Sequence, residues 1–266
     1  MKLIMNLYFN IDISLNYKSP VQKIRVMTED WTEKNIFCPN CGDSIKKLPN
    51  NSPAVDFHCK KCNEKYELKS KKNTFGNLIV DGAYSIMSEK ISKSSIPNFF
   101  LLNYNLENDY KSQKYKVTNF FVIPRHFFTL DILHKREPLS SNARRTGWIG
   151  CNILIGQIPS TGKIYYIKDQ KQEAKEEIIK KWKTTLFLRE EEKLKGWILD
   201  IMKCIDKIKK EEFELQDLYN FETYLQKKYP NNKHIKDKIR QQLQFLRDKG
   251  YLIFLERGKY KRNYDI

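Results

Sequence analysis

Two Cys-x-x-Cys pairs, Cys38-Pro39-Asn40-Cys41 and Cys59-Lys60-Lys61-Cys62, constrain this chain more than any other feature. The 17 residues between Cys41 and Cys59 suit one tetrahedral site built from four thiolates. An all-cysteine tetrahedron saturates Zn²⁺ and leaves no position for a substrate, so a structural zinc ion is expected. The alternative is a pair of free dithiols or disulfides. Any fold that closes the cluster also fixes the residues threaded through it: Asp56 lies three residues before Cys59, and Glu67-Leu68-Lys69 follows Cys62 closely.

Short strand-like runs at 54–58 and 66–70 flank the second pair and are expected to form a hairpin or adjacent strands. Asp56 sits on the first, Glu67 and Lys69 on the second. On a strand an i, i+2 pair projects from one face, with Leu68 turned inward to the core, and Asp56 meets the pair from the neighbouring strand. Two carboxylates at one point make a hard-oxygen site suited to Mg²⁺. Lys69 beside them can position or acidify an attacking water while the metal neutralises phosphate charge. The same Glu-x-Lys spacing at Glu173-Ala174-Lys175 and Glu191-Glu192-Lys193 lacks a strand context. The alternative for 56–69 is an exposed, ion-paired hairpin.

Charge points to the partner. With 49 Lys and Arg against 32 Asp and Glu, the 266-residue chain carries a formal +17, which favours a polyanion such as nucleic acid. Part of the excess is local, ten Lys and Arg against three Asp and Glu over 232–262. The first residues lack a continuous apolar core and a small-residue cleavage site, so no signal peptide is expected. No apolar run approaches the roughly 20 residues that cross a bilayer, and paired cysteines fit metal thiolates in a reducing compartment. A soluble cytoplasmic protein follows, with Cys151 and Cys204 as ordinary buried thiols and no membrane partner. The lack of coiled-coil heptads points to a monomer.

The pattern along the chain predicts a mixed α/β domain over 1–192 and a winged helix-turn-helix over 193–266. In the first, a helix opens at Ser19-Pro20 and runs to Phe37, and a second amphipathic helix spans 76–93. Buried strands at 98–104 and 119–123 are separated by a polar loop over 105–116, and a loop-rich stretch at 138–158 precedes a strand at 163–167. A charged linker is expected at 190–195. Beyond it come helices from Trp197 to Ile208, from Leu215 to Lys227 and from His234 to Lys249, then a β-turn-β around Arg257-Gly258-Lys259.

The third of these helices places Ile235, Ile239, Leu243 and Leu246 on one face and Lys236, Arg240, Gln241 and Gln244 elsewhere. Gln pairs bidentately with adenine and Arg with guanine in the major groove, while Lys233, His234, Arg257 and Lys259 are expected DNA contacts beside them. A solvated basic face, or a winged helix that binds protein, is the alternative. Trp148, flanked by Gly147 and Gly150 and following Arg144-Arg145, reads as a loop aromatic that presses on a base or methyl group; a core Trp fits as well. His58, His126 and His134 lack the spacing of ligands or a triad.

At Asp56, Glu67-x-Lys69, the intercalated cysteine pairs, 143–151 and 234–260, the chain resembles the DpnI-type methyl-directed restriction endonucleases, nearly end to end. The resemblance implies a restriction-endonuclease-like PD-(D/E)XK catalytic domain with an embedded zinc site and a C-terminal winged helix. It implies a type II site-specific deoxyribonuclease that cuts duplex DNA at GATC only when the adenine is methylated. Asp56, Glu67 and Lys69 match the catalytic residues, Cys38, Cys41, Cys59 and Cys62 the zinc ligands, and Trp148 a DNA-facing aromatic. The mechanism expected has Asp56, Glu67 and the Leu68 carbonyl on Mg²⁺, with Lys69 orienting the nucleophilic water. The loop at 105–116 is longer and more polar than the family leads one to expect. The rivals are a non-catalytic zinc-containing regulator using the same winged helix, and a nuclease of another specificity.

Overall fold

A computed structural model describes residues 5–49, 55–109, 112–191 and 194–263. Two compact units divide the chain: Met1–Gly156 with Gly162–Lys183, and Gln157–Thr161 with Thr184–Ile266. The expected linker at 190–195 falls partly on 192 and 193, outside the described residues.

The first unit begins with α1 (Pro20–Asn35), where Pro20 occupies the first turn behind an extended Ser19. Met27 and Trp31 bury its apolar stripe. The helix stops two residues short of Phe37. Cys38 precedes a proline, which disfavours helical backbone there, and Ile36 is already extended. Strands β1 (Lys46–Lys47), β2 (Phe57–His58) and β3 (Lys65–Lys72) follow, then β4 (Ile79–Ala83) and α2 (Tyr84–Ser92). Ala54, the first residue of the run expected at 54–58, lies outside the described residues. The unit continues with β5 (Asn98–Asp109), β6 (Ser112–Ile123), β7 (Leu133–Lys135), β8 (Gly150–Ile153), β9 (Ile164–Lys168), β10 (Lys171–Gln172) and α3 (Lys175–Lys183).

Seven of these strands form one mixed sheet in the order β1-β2-β3-β5-β6-β9-β10, in which only β3 and β5 run parallel. Phe99, Phe100, Leu101 and Leu102 on β5 have no exposed surface, as expected of a strand covered on both faces. Tyr66 of β3 stacks on Phe100 at 4.3 Å between centroids, in an aromatic core shared with Phe120 and Tyr166. A second, three-stranded antiparallel sheet has the order β4-β8-β7.

Two readings of local pattern are corrected here. The stretch 76–93 is not one helix, because its first part is β4, paired with β8 from Ile79↔Ile153 to Ala83↔Gly150. Ile79 and Val80 are β-branched and Gly82 is a poor helix former, so the pairing strand some 70 residues away decides the matter. Residues 105–116 are not a loop over most of their length: β5 and β6 extend through them as a hairpin, pairing Leu106↔Tyr115 and Glu107↔Lys114. Both faces of that extension carry polar side chains, so it shows no buried alternation to read. Lys116 closes on Glu107 at 3.2 Å, and the backbone of Leu7 and Phe9 bonds Val117 and Tyr115.

The second unit contains α4 (Lys195–Ile208), β11 (Glu212–Glu214), α5 (Leu215–Tyr219), α6 (Glu222–Lys228), α7 (Ile235–Asp248), β12 (Leu252–Glu256) and β13 (Lys259–Arg262), with sheet order β11-β13-β12. Ile198, Ile201, Met202, Ile205, Leu218, Leu225, Ile239, Leu243 and Leu246 make its core. The single helix expected from Leu215 to Lys227 is two short ones meeting at Asn220-Phe221, where Phe221 leaves helical geometry and its N–H closes on Leu218 at 3.0 Å. The Asp217 carboxylate accepts the Glu214 N–H at 3.0 Å and so caps the start of α5. Asp200, fully buried on α4, accepts from Lys203 at 2.6 Å, Lys228 at 2.7 Å and the Tyr229 hydroxyl at 2.6 Å. A buried carboxylate so saturated pins the turn ahead of α7 to α4. Among the described residues, no helix is long and apolar enough to cross a membrane.

Candidate active site and metal centre

The acidic site forms where β3 passes Asp56. The Asp56 N–H donates to the Tyr66 carbonyl at 2.9 Å, and its carboxylate accepts the Leu68 N–H at 2.7 Å, so the residue is tied to β3 at both ends. In a strand the N–H and C=O of one residue point the same way, so the Leu68 carbonyl also faces the Asp56 side. The β2 ladder has ended there at Tyr66. Leu68 itself is only half-buried; Tyr66, two residues earlier on the same face, fills the core.

Glu67 and Lys69 share the opposite face, as their spacing predicts. Lys69 Nζ lies 2.5 Å from Glu67 Oε1 and 2.9 Å from Asp81 Oδ1, with the Phe99 ring centroid 5.7 Å away. Asp81 is the functional candidate that sequence reasoning missed. It was assigned to a helix, whereas β4 delivers it to the same point as Glu67; the β-branched Ile79-Val80 ahead of Asp81-Gly82 was the available signal. One oxygen of each carboxylate, Glu67 Oε2 and Asp81 Oδ2, is buried without a hydrogen-bond donor.

Electrostatics follow from crowding in a dry place. Burial raises the Asp56 pKa, the Leu68 N–H opposes it, and Glu29 of α1 adds to the rise. Burial likewise raises Glu67 against the pull of Lys69, and Asp81 adds to it. Burial alone would lower Lys69, but Glu67 and Asp81 reverse this and hold its ammonium up to about 12. Glu29 is itself neutralised by Lys47 at 2.6 Å and Arg25 at 3.3 Å. Glu67 Oε2, buried without a donor, joins the Asp56 carboxylate and the Leu68 carbonyl in a hard, oxygen-only donor set that fits a divalent cation such as Mg²⁺, while Asp81 is turned to Lys69.

The metal centre is a separate cluster, built from the segment between α1 and β1 and from the turn between β2 and β3. The four Sγ atoms of Cys38, Cys41, Cys59 and Cys62 lie within 4.8 Å of one another, with Cys38–Cys62 at 3.4 Å and Cys41–Cys59 at 3.5 Å. Zn–S bonds of about 2.3 Å place tetrahedral sulfurs about 3.8 Å apart, so the cluster is able to bind zinc. No cysteine is in a disulfide. The two knuckles are geometric copies. Cys38 and Cys59 each accept through their carbonyls from the residue four ahead, Gly42 at 2.8 Å and Asn63 at 2.9 Å, and both of these have left-handed backbone, φ +75° and +60°. Gly42 has a further reason to be glycine, since a Cβ there would meet Ile179 and Lys175 at 3.0 and 3.1 Å.

Burial raises the Cys38 and Cys41 thiols, whereas at Cys62 the Asn40 side chain and nearby N–H groups outweigh burial and lower it. Zinc binding must therefore expel protons from partly desolvated thiols. The Tyr66 hydroxyl lies 3.0 Å from Cys38 Sγ, which links the cluster directly to the strand that carries Glu67. Cys151 and Cys204 are buried thiols raised by burial to about 11 and about 12, as inert as expected.

The remaining candidates lie on surfaces. Backbone bonds from Leu139 to the Trp148 carbonyl and from Gly147 to the Leu139 carbonyl, both 3.0 Å, close a loop that exposes Arg144 and Arg145. Trp148 is half-buried, with the Arg145 guanidinium 4.7 Å above its ring. The indole lies against Gly150, where a Cβ would sit 2.8 Å from it. In the second unit α7 buries Ile235, Ile239, Leu243 and Leu246, with Gln242 beside them, and exposes Lys236, Arg240, Gln241 and Gln244.

Several of these cations are paired: Lys236 with Glu222 at 3.4 Å, and Arg240 with Asp237 at 3.2 Å and the Tyr219 hydroxyl at 2.5 Å. Gln241 accepts from Lys238 at 2.7 Å. Lys233 and His234 are exposed in the turn before α7. Arg257 is exposed at the β12–β13 turn beside Gly258, and half-buried Lys259 lies 3.7 Å from Glu212.

Comparison with protein families agrees with this anatomy. A model described as DpnI, Dam-replacing family, matches residues 5–191, and a second, the Dam-replacing HTH domain, matches residues 193–262.

Proposed function

The chain belongs to the DpnI-type Dam-replacing family of methyl-directed endonucleases, with a C-terminal HTH domain that binds DNA, and from that premise we propose a Mg²⁺-dependent nuclease cutting GATC sites that carry methylated adenine. The catalytic domain is 1–192, of the PD-(D/E)XK type, and the winged helix is 193–266. The observation that carries the reading is the convergence of Asp56, Glu67 and Lys69 on one point of β3, beside a cluster able to hold zinc.

Asp56, Glu67 and the Leu68 carbonyl would hold the divalent cation, which supplies charge neutralisation at the scissile phosphate and a more acidic water. Lys69 donates from its ammonium to the attacking water or a phosphate oxygen and holds it in line with the bond to be broken. Asp56 is kept in place by the Leu68 N–H, so its free oxygen is aimed before substrate arrives. Zinc in the four-cysteine cluster would brace the knuckles and take no part in the chemistry.

Methyl dependence raises a question of magnitude. Burying one methyl is worth ~0.8 kcal/mol, about a fourfold preference. Reading the methyl on both strands roughly squares that factor, and reading by two domains in turn squares it again, provided each pocket is penalised when the methyl is missing. Trp148 with Arg144 and Arg145 is assigned to one reading surface. Lys236, Arg240, Gln241 and Gln244 of α7 form the other, flanked by Lys233, His234, Arg257 and Lys259.

The deciding test is cleavage of one plasmid in Mg²⁺, prepared with and without adenine methylation at GATC. Cutting confined to the methylated form supports the reading; cutting of both removes methyl direction, and tight binding without cutting favours a regulator. Within the winged helix, Gln244→Ala is expected to cost ~1–3 kcal/mol of affinity for the methylated site and to relax its sequence preference. Arg257→Ala should weaken binding to all sequences alike and lower the salt slope by about 1, in titrations at several salt concentrations.

A further inference from the structure

We propose that Asp81 is the positioning residue for Lys69, a role that rests on the nuclease reading above. The contact is short and shielded: Nζ to Oδ1 is 2.9 Å, with the Asp81 side chain 6% exposed and that of Lys69 23%. The carboxylate is itself fixed. Its Oδ1 also accepts the Gly82 N–H at 2.7 Å, at the point where the ladder between β4 and β8 shifts register between Asp81 and Ala83.

The need for such a residue follows from the double use of Glu67. In this structure Glu67 holds Lys69 through Oε1, yet the same carboxylate is a proposed ligand of the divalent cation. Once Glu67 is engaged there, its hold on the ammonium weakens. Lysine carries its charge on a flexible four-carbon stem, so aim depends on a counter-charge that stays behind. Asp81 reaches the site from a different sheet and is that counter-charge. The β4 backbone also pairs with β8, whose Gly150 lies under Trp148, so Lys69 is steadied by the sheet that carries the proposed DNA-facing loop.

The test uses full-length zinc-loaded protein and single-turnover cleavage at saturating methylated DNA, for Asp81→Asn, Lys69→Met and the double variant, with DNA affinity measured in Ca²⁺. Zinc content and thermal midpoint verify the fold, and Asp81→Ser is the second variant if Asp81→Asn fails to fold. The expected result is a fall of roughly 10²-fold in the rate at saturating Mg²⁺, the scale of a misplaced catalytic group. DNA affinity and the Mg²⁺ concentration for half-maximal rate should stay within a few-fold of wild type, and the double variant should be no slower than Lys69→Met alone. A raised Mg²⁺ requirement with the maximal rate retained would make Asp81 a metal ligand and overturn the proposal. So would additive losses in the double variant, or an unchanged rate. Wild-type protein that cuts no DNA would remove the nuclease reading and this inference with it.

Discussion

Asp56→Asn will remove Mg²⁺-dependent strand cleavage by at least about three orders of magnitude while leaving the protein folded. The two effects separate because the proposed mechanism gives the carboxylate two tasks. One oxygen accepts the Leu68 N–H at 2.7 Å, a task the asparagine amide oxygen can take over, so β3 keeps its tie. The other task is to present charge to a divalent cation, which an amide does poorly. Loss of Lewis-acid stabilisation is worth several kcal/mol, and each 1.36 kcal/mol is tenfold in rate, so ~4 kcal/mol gives ~10³.

Stability should move the other way or not at all. Burial raises the Asp56 pKa above its unfolded value, so this group's favourable contribution is fully present below the unfolded pKa and is lost as pH rises through the folded one. At neutral pH the charged form is a burden, and Asn lifts it. Plasmid cleavage and a thermal melt, run together at pH 7 to 8, check both halves. An Asn variant cutting at the wild-type rate would remove Asp56 from the mechanism.

The second large effect is on the fold. Cys59→Ser, or stripping of zinc by a chelator, is expected to unfold the unit that contains the large sheet. Cys38 and Cys59 have no exposed surface, and each knuckle is closed by a short turn with two backbone hydrogen bonds, Gly42 and Asp43 on Cys38, Asn63 and Glu64 on Cys59. Structural zinc sites are worth ~10–16 kcal/mol in isolated peptides, against ~5–15 kcal/mol of net stability for a whole domain. Serine leaves three thiolates and a weak oxygen donor, and the loss reaches the acidic site through Tyr66, whose hydroxyl touches Cys38 and whose neighbour is Glu67.

The readouts are zinc content, the cooperative thermal transition and cleavage. Both cleavage and the transition of that unit should vanish in Cys59→Ser, whereas Asp56→Asn retains zinc and the transition. Activity lost in chelator and restored by Mg²⁺ alone would implicate only the catalytic ion. A folded, zinc-free and active serine variant would dispose of the bracing role.

How much of this was legible in advance can be judged residue by residue. The four cysteines and the Glu67-x-Lys69 pair were readable because both signals are local. Ligand spacing follows from the reach of a short turn, and an i, i+2 pair shares a face of any strand. The stripe of Ile235, Ile239, Leu243 and Leu246 on α7 was legible for the same reason, since helical period and burial coincide there. Asp81 was not. The stretch from Leu78 to Ile91 satisfies a helical pattern, and only pairing with β8 turns its first part into a strand that aims Asp81 at Lys69. The hairpin over 105–116 was hidden because every pair in it but Leu106↔Tyr115 joins polar residues, and the break at Asn220-Phe221 because Leu218 and Leu225 suit one continuous helix.

Residue chemistry and short-range spacing therefore determined by themselves that this chain can hold zinc, can gather Asp56, Glu67 and Lys69, and carries a basic helix before a turn-forming hairpin. Tertiary structure alone decided which further carboxylate meets Lys69, how Asp56 is fastened to Leu68, and that β4 pairs with β8. The first two contacts join residues 12 apart and the pairing joins residues 67 to 74 apart, and strand pairing over such separations is chosen by the burial and hydrogen bonding of the whole sheet, which no local window contains.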